Sequence, residues 1–174
     1  MYDIRDMIKI EIPKITQDKI RDFIPLIIEE KLKEEPYKTD RMQLKKRWYT
    51  GLMGEAALEV VLGIPIIEWK VGDTKRFSHP DIPGYNVGVK SVEFGLYPLI
   101  SFNNPYSQIF CIKYFNTVFV AGLAEPDILN RYQSEDLVES PKLRELHIKT
   151  GFYGFDYLKR IESLEDLEPY KRKH

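Results

Sequence analysis

The sequence predicts an α/β (α+β) fold with a mixed central sheet flanked by helices, and three observations carry that prediction. Helical apolar periodicity dominates the first third of the chain. Short strand-like runs punctuated by turn residues occupy the middle, and brief mixed elements close it. At 174 residues the chain fits a single domain with a sizeable core. Its expected parts are N-terminal helices over about 17–62, a core over about 42–123 and a C-terminal cover over 124–174.

From Gln17 to Glu35, the residues Ile20, Phe23, Ile24, Ile27 and Ile28 form one apolar stripe, with Thr16 as N-cap and Pro25 as a kink site. A second helix should begin near Thr39-Asp40 and run to Leu62, where Gly63 and Pro65 stop it. Ile66 to Val71 reads as a short strand. Arg76 to Ile82 and Tyr85 to Val92 read as a hairpin through Pro83-Gly84, a dipeptide suited to a type II turn. Gln108 to Tyr114 and Thr117 to Leu123 read as a second hairpin, the latter strand apolar on both faces. Ser140-Pro141 opens either a short helix or a turn before Leu146 to Lys149. The aromatic run from Gly151 to Leu158 suits a core strand, and Ser163 to Tyr170 a closing helix.

Composition narrows the function classes. Aromatic residues at 13% argue against disorder, and the single cysteine, Cys111, excludes an internal disulfide and a cysteine-based zinc cluster. No run approaches the ~18 apolar residues of a membrane span, and no signal-peptide segment opens the chain, so a cytoplasmic protein without membrane contact is expected. The net charge of -1 announces no nucleic-acid binding, but its distribution is uneven. Lys38, Arg41, Lys45, Lys46 and Arg47 crowd one segment, and Lys45, Lys46 and Arg47, with His79, are the DNA-contact candidates. The plain alternatives are a solvated helix face and a locally packed histidine. Lys171-Arg172-Lys173 reads as a frayed basic tail. P-loop, dinucleotide-binding, HExxH and nucleophile-elbow motifs are absent.

Three groups suggest chemistry. Glu55 lies on a helical stripe with small neighbours, Gly51, Gly54, Ala56 and Ala57, which allow close approach to a sheet. Asp81 precedes the Pro83-Gly84 turn, and Lys90 sits in the apolar strand that follows it. A strict hairpin puts His79, Asp81, Asn86, Gly88 and Lys90 on one face. It also leaves Lys90 four residues beyond the partner of Asp81, roughly 13 Å, so a wider loop or β-bulge is required. Two carboxylates and a backbone carbonyl suffice for Mg2+, which keeps several waters and eases attack on a phosphodiester.

Glu55, then His79-Pro80-Asp81, then Val87-Gly88-Val89-Lys90-Ser91 resembles the PD-(D/E)XK nuclease superfamily over roughly 42–123. The resemblance implies a restriction-endonuclease-like core. Glu55, Asp81 and the Val89 carbonyl would hold Mg2+ (or Mn2+), with Lys90 as the catalytic lysine. Gly88 departs from the pattern, which places an acid two residues before the lysine. Glu93, Gln108 or Asp73 would have to substitute, unless one weakly held ion suffices or catalysis is lost. The Glu93 to Tyr106 loop is either a recognition element with aromatic rings for base stacking or a packed connector. The expected function is a metal-dependent DNA endonuclease, with DNA as partner and a homodimer suited to double-strand cutting. The alternative is a catalytically silent nucleic-acid-binding or interaction domain.

Overall fold

The computed structural model describes residues 1–34, 40–71 and 80–173. Strand β1 (Ile8–Glu11) leads into helix α1 (Lys14–Glu34) and helix α2 (Arg41–Leu62). Strands β2 (Val87–Glu93), β3 (Leu99–Ser101), β4 (Ser107–Tyr114) and β5 (Thr117–Ala124) follow. Helix α3 (Pro126–Arg131), β6 (Gln133–Ser134), α4 (Pro141–Leu146) and β7 (Lys149–Phe152) complete the regular elements, with a 3₁₀ segment at Leu164–Tyr170. The fold is mixed α and β, as expected. A four-stranded sheet runs β1-β5-β4-β2, antiparallel except where β2 lies parallel to β4. A three-stranded antiparallel sheet runs β3-β7-β6.

These elements stack in three layers. The apolar stripe of α1 and the small-residue face of α2 cover one face of the larger sheet, burying Ile20, Ile24, Met53, Ala57, Val87, Ile109, Cys111 and Val120 together. Phe110, Ala124, Leu129, Ile100 and Phe152 form a second core between the sheets, with Phe110 and Phe152 stacked at 4.5 Å. Among the described residues, the cover over 124–174 is thus a set of short pieces, two short helices, two short strands and 3₁₀ segments, and the closing helix expected over Ser163 to Tyr170 is of the 3₁₀ type.

Helix α2 obeys its end signals. The Asp40 carboxylate accepts from the Gln43 N–H, and Gly63 closes the helix at φ 68°. Helix α1 begins before the expected Thr16 cap, with the Gln17 N–H donating to the Pro13 carbonyl, and Pro25 sits inside it. Ile66 to Val71 is irregular rather than a strand; the Ile66 and Ile67 N–H groups donate to the Glu59 carboxylate instead. Residues 80–82 are not a strand, and Arg76 to His79 lie outside the described residues. Among the described residues, the strand partner of β2 is β4. The Glu93 to Tyr106 segment is a connector: it contributes β3, and Phe94 and Tyr97 pack on Tyr2.

Among the described residues, no helix is long and apolar enough to cross a membrane.

Candidate active site

The turn that carries Asp81 is built by two residues. Pro83 takes the first central position and Gly84, at φ 82°, the second, while the Tyr85 N–H closes the turn on the Ile82 carbonyl at 3.1 Å. The next rung slips: the Ile82 N–H bonds to the Val87 carbonyl at 3.1 Å, and the Asn86 N–H is drawn off to the Tyr170 carbonyl at 2.8 Å. The widening that the sequence required is therefore present. It carries Asp81 past Asn86, so that its carboxylate accepts the Val89 N–H at 2.6 Å, one residue from Lys90. The N–H and C=O of a strand residue point to the same side, so the Val89 carbonyl also faces the edge where Asp81 lies.

Faces are fixed by close packing of α2 on β2. A Cβ added at Gly54 would come within 1.8 Å of the Ser91 Oγ and 3.2 Å of the Cys111 Cβ, so the helix backbone rests directly on these side chains. Thr50 Oγ1, one turn earlier, donates to the Glu93 carboxylate at 2.7 Å. Ser91 and Glu93 thus face α2, and Gly88 and Lys90 face the smaller sheet. The structure divides what the sequence placed in one pocket. Asp81 stands at the sheet edge between the two sides.

On the helix side, Glu55, Glu68 and Asp81 line a cleft of about 380 Å³ together with Trp48, Pro80 and Arg172. Glu55 is half-buried, and its negative charge, after burial, helps push the Cys111 thiol up to about 12. Asp81 keeps solvent exposure at the sheet edge, but the surrounding cleft walls partly desolvate its carboxyl and push its pKa up, against the Val89 N–H and the nearby Lys90 charge, which both lower it.

On the other side, Lys90 pairs in register with Phe110, whose ring stacks on β7. Lys149 of β7 joins it: burial lowers the Lys149 ammonium, and the charges of Lys90 and Arg47 lower it further. Arg47, near the start of α2, thus adds positive charge within electrostatic reach of Lys149. Lys45 and Lys46 instead line a separate depression with Arg21 and Tyr49. His79 and Asp73 lie outside the described residues.

Gly88 and Gln108 are register partners across the parallel pair. A Cβ at Gly88 would meet the Gln108 Oε1 at 2.3 Å, so the glutamine amide occupies the space that a side chain at 88 would take. That Oε1 is buried and has no hydrogen-bond partner. Glu93, by contrast, is committed to Thr50 and to Lys113, whose Nζ lies 2.9 Å away, and it points away from the Lys90 face. Of the substitutes for the missing acid, Gln108 fills the side-chain space at 88, and Glu93 is held on the opposite face of β2.

Among the described residues, no three His, Cys, Asp or Glu side chains cluster closely enough to hold a metal ion. The donors present still suit a hard cation chemically: Glu55 and Asp81 supply carboxylates, Val89 a carbonyl, and Gln108 an amide oxygen lacking a donor.

Sequence reasoning missed Arg172, Glu68 and Lys149. The basic tail is not frayed: Lys171 bridges Tyr85, and the Arg172 N–H donates to the Gly84 carbonyl at 2.9 Å. No local signal marks that pairing across more than eighty residues. Comparison with family models, curated proteins and solved structures finds no match to this chain.

Proposed function

We propose that this chain is a metal-dependent nuclease that hydrolyses phosphodiester bonds in DNA, in the manner of the PD-(D/E)XK superfamily that its motifs resemble. The observation that carries the reading is the orphaned Gln108 Oε1 seated over Gly88 on the Lys90 face, in a strand whose Val89 N–H is held by the Asp81 carboxylate. A buried acceptor without a donor costs about 1–3 kcal/mol, a cost that a bound cation removes.

Asp81, the Val89 carbonyl and Gln108 would hold Mg2+ or Mn2+ at the edge of β2, with Glu55 on the helix side of the same strand. Such an ion polarises the phosphoryl group and eases deprotonation of the attacking water. Lys90 orients that water or stabilises charge on the pentacoordinate phosphorus oxygens. Lys149 and Arg47 add positive potential beside it, drawing the phosphate chain toward the edge of β2.

Cleavage of supercoiled plasmid and of single-stranded DNA with Mg2+ or Mn2+ tests the proposal. Asp81→Ala and Lys90→Ala should each lower the rate at least about 100-fold. The double variant Gly88→Glu, Gln108→Ala clears the space and restores an acid at 88, and it should cut as well as the wild type or better. A wild-type protein inert with both metals, and unaffected by that exchange, sinks the nuclease reading. The second reading, a silent DNA-binding module, rests on Gly88 and the missing three-ligand cluster. It predicts EDTA-resistant DNA binding with a steep salt dependence and no cutting.

A further inference from the structure

Arg172 stands out among the polar groups of the cleft. Its guanidinium lines the same wall as Glu55, Glu68 and Asp81, yet its Nε is buried and has no hydrogen-bond partner. Among the described residues, its side chain makes one long polar contact, from Nη2 to the Pro80 carbonyl at 3.4 Å. Its backbone is nevertheless fixed. The 3₁₀ segment at Leu164–Tyr170 delivers the Tyr170 carbonyl to the Asn86 N–H, Lys171 bridges Tyr85, and the Arg172 N–H donates to Gly84. These contacts tie the arginine to the turn that positions Asp81.

We propose that Arg172 is the phosphate-binding arm of this cleft, presenting its fork to two non-bridging oxygens of a nucleic-acid phosphodiester held beside Asp81. The identity of the phosphate, though not the presence of an anion site, rests on the nuclease reading above. A phosphate enters a cleft lined by carboxylates only where a cation stands to receive it, and Arg172 stands in this one. A guanidinium supplies a permanent positive charge and a planar pair of donors that match phosphate geometry. The enclosed Nε has nothing to bond, a cost in the finished fold that a swing of the guanidinium onto an anion in the cleft would relieve. Preorganisation follows from the clamp, because the arginine backbone is already ordered before any ligand arrives.

The test is fluorescence anisotropy of a labelled short DNA duplex in Ca2+ across a salt series, on the full chain and its Arg172→Gln and Arg172→Lys variants. Arg172→Gln should weaken binding about tenfold and reduce the log–log salt slope by about one, the signature of one lost phosphate contact. Arg172→Lys should keep the slope and recover only part of the affinity, since ammonium lacks the fork. Unchanged binding in Arg172→Gln overturns the inference. So does weaker binding with an unaltered slope in both variants, which marks a purely structural role, and so does a wild type that binds no DNA. A wild type whose binding depends on Arg172 but which cuts nothing with Mn2+ upholds the inference and removes the nuclease reading instead.

Discussion

At Glu93, near the end of β2, the carboxylate receives Thr50 Oγ1 at 2.7 Å and Lys113 Nζ at 2.9 Å, and the ammonium also lies 5.3 Å from the Tyr49 ring centre. At Gly88, five residues earlier and roughly 16 Å away along the strand, Gln108 Oε1 has no partner and the Asp81 carboxyl is crowded above its usual range. One strand therefore carries a satisfied polar cluster at one end and an unsatisfied one at the other. The first is explained by folding alone. The second costs free energy in the apo protein, which is the condition expected of groups retained for a ligand.

Substitutions should separate the two ends by sign. The largest effect is expected at Lys113, whose side chain is only 10% exposed. Lys113→Ala strands the Glu93 carboxylate and should cost about 3 kcal/mol in urea unfolding, with cleavage per folded molecule unchanged. If stability is unaltered, the satisfied end contributes nothing. Gln108→Met should act the other way, stabilising the protein by about 1 kcal/mol while lowering metal-dependent cutting, because it removes an orphaned acceptor at similar volume. A destabilised Gln108→Met would show that the amide is bonded in solution and would close the contrast.

The smallest effect depends on pH. Partial desolvation raises the Asp81 pKa over its unfolded value, so folding favours the protonated acid. That stabilisation is complete below the unfolded pKa and is lost as pH rises through the folded one. At neutral pH the charged carboxylate is thus a destabilising group. Asp81→Asn retains an acceptor for the Val89 N–H and should raise the metal-free Tm near neutrality, the gain fading toward about pH 4, near the ordinary aspartate value. Added Mn2+ should raise the Tm of the wild type and leave Asp81→Asn unmoved. A wild type whose Tm ignores Mn2+ contradicts the ligand set.

Local signals made the helices and turns legible. Asp40 and Gly63 bound α2 where expected, Pro83-Gly84 turns where expected, and Ser140 caps α4 by accepting from the Leu143 N–H. The order Glu55, Asp81, Lys90 located the edge of β2, and the required bulge predicted the Ile82–Val87 slip. What stayed hidden is long-range. Four residues of β1 have their strand partner more than a hundred positions away, in β5. The parallel β2–β4 register, which decides that Gln108 covers Gly88, leaves no periodic trace in either strand. Face assignment failed for a related reason. Strict alternation put Asp81 and Lys90 on one face and the helix stripe was expected to bring Glu55 to it, whereas α2 packs on the Ser91–Glu93 face of β2, opposite Lys90.

Gly54 gives Glu55 its place by lacking a side chain. Because the helix lies so close to Ser91 and Cys111, even a single methyl at 54 would wedge the two layers apart. The neighbouring carboxylate would then be lifted from the cleft wall with its charge unchanged. If the proposed nuclease reading holds, cutting is open to tuning by volume alone, through a residue that supplies no chemical group.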